Sequence, residues 1–81
     1  MDKGRINTIQ GACIVAVTKH IMQQNGIDRE NAYKTALKTE LYKLLMDEDT
    51  GLFLEPNAYL NECYDIEMKQ GIDALYSHIN A

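Results

Sequence analysis

Basic charge is scarce in this chain: 8 Lys and Arg stand against 12 Asp and Glu, for a net charge of −4. A phosphate backbone is gripped by a surplus of Lys and Arg, so nucleic acid is not an expected partner. Long apolar runs are missing too. The longest, ACIVAV at residues 12–17, is far shorter than the roughly 18 residues a membrane span needs. Lys19 and His20 follow soon after it, where a signal peptide would carry a small-residue cleavage site. A cytoplasmic chain without a membrane partner is expected. Cysteine is limited to Cys13 and Cys63, too few and too far apart for a disulfide framework. Both fall on apolar helical stripes, where a thiol behaves as a small buried hydrophobe; the functional alternative is a bridge or a reactive thiol.

The residue sets that carry chemistry are also lacking. No group of His, Cys and carboxylates has metal-ligand spacing. No glycine loop cradles a phosphate, no nucleophile elbow occurs, and no Ser or Cys lies beside a base. The turn DEDTG at 47–51 opens like a calcium loop with Asp47 and Asp49, but Leu52 stands where glycine is needed and Ala58 where a bidentate glutamate is needed. The chain is therefore read as non-enzymatic, with no metal and no cofactor.

No segment alternates with period two over a useful length, and no repeat or low-complexity stretch occurs, so neither a sheet nor a linker is predicted. What is present is a composition of 46% apolar and 25% charged residues, enough for a packed core in one small domain spanning 1–81. Over 6–24, Ile6, Ile9, Cys13, Ala16, Val17 and Ile21 recur at three and four, with Thr18 and Lys19 opposite, predicting one helix. Ala12, Val15 and Met22 lie off that stripe, as on a helix with neighbours on more than one side. His20 falls inside it, where a lone histidine is a satisfied boundary residue or part of a binding pocket. Asn25-Gly26 ends the helix, and Asp28 caps a second over 28–46. The expected buried stripe of this second helix is Tyr33, Ala36, Leu37, Leu41, Leu44 and Leu45, with Tyr42 and Met46 left on a flank.

Leu52, Phe53 and Leu54 then sit on a connector before Pro56, where they either plug an end of the core or form an exposed patch. In YLNECYDIEMKQG at 59–71, Tyr59, Leu60, Cys63, Tyr64, Ile66 and Met68 share one arc, predicting a packing helix over 57–70. Past Met68 the phase jumps, because Ile72, Leu75, Tyr76 and Ile79 fall on the formerly polar side. Gly71 marks the break before a short helix over 72–79. Glu67 projects into the apolar arc in a last helical turn, where burial and the helix dipole both disfavour a negative charge. It is read either as a carboxylate held for a partner or as a long side chain reaching solvent.

Through Ala32-Tyr33, Tyr59-Leu60, Tyr64-Asp65 and Gln70, the chain resembles a family of small bacterial helical domains of unknown function with a Tyr-Asp-x-x-His-Thr-Gln segment. The family's His-Thr is Met68-Lys69 here, and 46–56 has the look of an insertion. The resemblance implies an all-helical accessory module that partners a neighbouring protein, in a toxin–antitoxin style arrangement. The expectation is thus a compact all-α bundle, three main helices over 6–24, 28–46 and 57–70 plus a short one over 72–79, serving protein interaction. Tyr42, Met46, Leu52, Phe53 and Leu54 form the candidate surface, for a protein partner or for self-association. The alternative is a small-ligand regulatory domain with a pocket near His20, Tyr33, Tyr64 and Glu67.

Overall fold

The computed structural model describes residues 2–81, and among them no strand occurs. Five α-helices follow in order: α1 Lys3–Asn25, α2 Arg29–Leu37, α3 Glu40–Met46, α4 Asn57–Gln70 and α5 Ile72–Ile79. Two single 3-10 turns, Glu48–Thr50 and Leu52–Leu54, connect α3 to α4. The all-helical expectation holds. The count does not, because the helix expected over 28–46 is two helices.

α1 is the spine of the bundle, packed against α2, α3, α4 and the connector. Asp2 caps it, accepting from the Arg5 N–H at 2.8 Å, which starts the helix three residues ahead of the predicted boundary. Gly26 closes it in the left-handed region at φ 63, donating to the Met22 carbonyl, the cap that Asn25-Gly26 predicts. Asp28 then accepts from the Asn31 N–H at 2.9 Å and starts α2 at the expected place.

The break between α2 and α3 contains neither Gly nor Pro. Thr39 makes it: its backbone turns extended at φ −82, ψ 155, its Oγ1 donates to the Ala36 carbonyl at 2.7 Å, and the same oxygen accepts from the Tyr42 N–H at 3.0 Å. The first N–H groups of α3 would otherwise lack partners. Glu67 supplies them from α4, Oε2 accepting from Glu40 N at 2.8 Å and Oε1 from Leu41 N at 2.9 Å. At the other end, the buried Gln10 of α1 donates through Nε2 to the Leu45 carbonyl at 3.1 Å. A seven-residue helix is too short to hold itself together, and α3 is fixed at both ends by side chains from two other helices.

The core is Ile14, Val17 and Ile21 of α1, Ala32 and Ala36 of α2, Leu41 and Leu45 of α3, Leu60, Cys63 and Tyr64 of α4, and Leu75 of α5, joined by Cys13, Leu52 and Phe53. On α2 the buried face is therefore the alanines; Tyr33 and Leu37, expected inside, are exposed. Thr18, expected on the polar side, is buried, its hydroxyl donating to the Ile14 carbonyl at 2.7 Å. Gly71 ends α4 as predicted but at φ 97, ψ 176, a region essentially confined to glycine, and its N–H bonds the Glu67 carbonyl.

Glu67→Gln keeps the shape but has one acceptor oxygen where two N–H groups need one, leaving a buried donor unpaired. The expected loss is about 1–3 kcal/mol of unfolding free energy, against about 1 kcal/mol for Thr39→Ala. Urea denaturation of the two variants measures both, and an unchanged Glu67→Gln midpoint would refute the clamp.

Candidate functional site

The structure divides the residues of the first predicted surface. Leu52 and Phe53 are only 4% and 5% exposed and belong to the core, so they offer nothing to a partner; Leu54 is 60% exposed. The reason lies in the connector. Leu52–Leu54 winds into a 3-10 turn after Gly51, which sends two of the three side chains inward and one out. Thr50 shapes the approach, its hydroxyl donating to the Leu44 carbonyl at 2.7 Å and accepting from the Leu52 N–H at 3.1 Å. Cys13 of α1 then donates its S–H to the Phe53 carbonyl, S to O 3.3 Å, pinning the turn to the spine. Tyr42 is half-buried against the core, and Met46 is exposed. The predicted five-residue patch is thereby reduced to Met46 and Leu54, with Tyr42 partly covered.

The residues of the alternative pocket are dispersed over separate tasks. His20 and Tyr64 do meet: their rings contact edge-to-face with centroids 5.9 Å apart. His20 Nε2 also lies 2.8 Å from Asp65 Oδ1, tying α1 to α4. Glu67, only 7% exposed, spends both carboxylate oxygens on the backbone of α3. It is neither held out for a partner nor extended into solvent, and both sequence-based readings of it are corrected. Tyr33 faces outward on α2, lining a groove whose other walls are Val15, Thr18, Lys19, Met22 and Arg29, without His20, Tyr64 or Glu67.

The thiols have a structural setting. Both are free and buried, and burial raises each pKa, that of Cys63 to about 11. In the acidic turn, Asp47 Oδ1 accepts from the Asp49 N–H at 3.0 Å and so caps the first 3-10 turn. Among the described residues no helix is long and apolar enough to cross a membrane.

Sequence reasoning missed the groove between α1 and α2. It is 300 Å³ in volume, with Val15 and Tyr33 exposed in it at 42% and 47% and with Lys19 and Arg29 on its walls. The signal was present in Ala12, Val15 and Met22, the apolar residues left off the α1 stripe. They point to neighbours on more than one side of α1, but α2, at nine residues against 23, is roughly 14 Å long beside a helix of roughly 35 Å. No protein-family model, curated protein or solved structure matches the chain.

Two outcomes check this placement. Phe53→Ala is expected to destabilise the fold by about 3–5 kcal/mol, the usual cost of removing a buried aromatic ring, whereas Leu54→Ala shifts the thermal midpoint little; equal effects would contradict the split of the connector. The thiols are expected to resist a maleimide or disulfide reagent at pH 8 in the native state and to react fully on unfolding. Because the fold favours the protonated Cys63, its contribution to stability is intact below the ordinary thiol value of 9.0 and declines as the pH rises through about 11. Rapid native-state labelling of Cys63 would contradict its burial.

Proposed function

We propose that the chain is a non-enzymatic protein-interaction module. The observation that carries this reading is the groove between α1 and α2, where the large side chains Val15 and Tyr33 are left in solvent although the chain has enough apolar residues to fill its core elsewhere. Val15 and Tyr33 stand in a depression together with Met22, and a concave apolar setting is one that a partner's side chain can enter. The groups that could do chemistry give the complementary support. Glu67 caps a helix, His20 is taken up by Asp65, and Cys13 holds the connector. The partner class is protein; the net charge of −4 argues against nucleic acid. The resemblance of Tyr64-Asp65 and its surroundings to bacterial accessory domains supports a regulatory pairing with the product of an adjacent gene, in a toxin–antitoxin style arrangement in the cytoplasm.

Co-expression with that gene's product, followed by size-exclusion chromatography with light scattering, tests the reading. A stoichiometric complex, or a mass for the chain alone that rises with concentration, is the expected outcome. A chain that stays monomeric at high concentration and forms no complex would refute it.

A further inference from the structure

We infer that the groove between α1 and α2 receives an acidic amphipathic helix from a foreign protein. The inference rests on the interaction reading above and names the occupant that the groove fits. On α1 the exposed Ala12, Val15 and Lys19 and the half-buried Met22 follow one another at spacings of three, four and three. That is the seam spacing at which one helix accepts the side chains of another lying along it. Ala12 is small enough to let a second backbone approach, and Tyr33 of α2 raises the facing wall. α2 is much shorter than α1, and Ala12 and Val15 remain exposed.

Charge selects the occupant. Lys19 and Arg29 both line the groove, and among the described residues neither takes part in an ion pair, as also holds for Lys3, Arg5, Lys38 and Lys69; what singles the two out is their place beside the exposed Val15 and Tyr33. Two unpaired cations flanking Val15, Met22 and Tyr33 are complementary to carboxylates flanking an apolar ridge. A chain with net charge −4 otherwise repels acidic proteins, so the local basic pair sets the register of docking as well as attracting it. A second copy is the competing occupant, and the mass measurement below separates the two.

The probe is a synthetic helical peptide of about 18 residues, long enough to lie along most of α1, with leucines at alternating spacings of three and four and glutamates flanking them. A control peptide carries lysine at each glutamate position. Titration followed by amide chemical shifts is expected to show the glutamate peptide binding with shifts confined to α1 and α2. It should bind on the order of fivefold more tightly than the lysine peptide, the range two exposed charge pairs supply. Lys19→Glu combined with Arg29→Glu is expected to reverse that preference. Tyr33→Ala should weaken both peptides, and Ile72→Glu on α5, whose residue is exposed away from the groove, should change neither. Equal binding of the two peptides, absence of binding, or shifts centred on α5 would overturn the inference. A natural complex that forms and survives the Lys19→Glu, Arg29→Glu double change would remove this groove while leaving the interaction reading in place. A concentration-dependent mass of the chain alone that the same double change abolishes would assign the groove to a second copy and overturn the foreign occupant.

Discussion

The carboxylate of Glu67 is the contact on which the arrangement of the helices turns. Two oxygens 2.8 and 2.9 Å from consecutive backbone nitrogens fix both the position and the rotation of α4 relative to the first turn of α3. Burying such a group costs several kcal/mol when it lacks partners. Here both oxygens are engaged, and the N-terminal end of α3 carries the positive pole of its peptide dipoles. Gln10 does the corresponding task at the opposite end through the Leu45 carbonyl. Without these two side chains α3 is about two turns of helix in which the Glu40 and Leu41 N–H groups and the Leu45 carbonyl lose their partners. With them, Leu41 and Leu45 become fully buried parts of the core.

The break at Thr39 was hard to read because small residues carry the packing beside it. A wheel drawn over 28–46 favours the larger Tyr33, Leu37 and Leu41 as one stripe. The buried residues are Ala32, Ala36, Leu41 and Leu45, and the five-residue step from Ala36 to Leu41 cannot stay on one face of a continuous helix. That step was the signal for a break, but only once alanine is counted as a core residue. Alanines let α2 approach α1 closely, which is why the bulkier Tyr33 and Leu37 end up outside. Gly26 and Gly71 were legible for the opposite reason, since each occupies backbone that other residues rarely adopt. A positive φ leaves a mark in one letter of sequence, whereas a cap supplied from 26 and 27 residues away in sequence leaves none.

The candidate site was legible only in part, and for a related reason. His20 and Glu67 stood out as polar groups on apolar stripes, and each meets a partner distant in sequence: Asp65 for His20, the α3 backbone for Glu67. Five helices in 81 residues present many unpaired backbone ends, and polar residues on inner faces are consumed in closing them. A periodicity argument identifies which side chain is unusual but not the group it meets. The connector was equally ambiguous, because three consecutive apolar residues in a 3-10 turn point in three directions, and only the fold selects which two go inward.

Burial on one side of α1 and exposure on the other follow from the same economy of length. The chain has one long helix and four short ones. α3, α4 and the connector are tied together and to α1 by the Glu67 and Gln10 clamps and by the S–H of Cys13 on Phe53. None is long enough to wrap both sides of the spine. Val15 is left 42% exposed beside the short α2. The clamp makes α3 part of the core, while α1 keeps an open face at Val15.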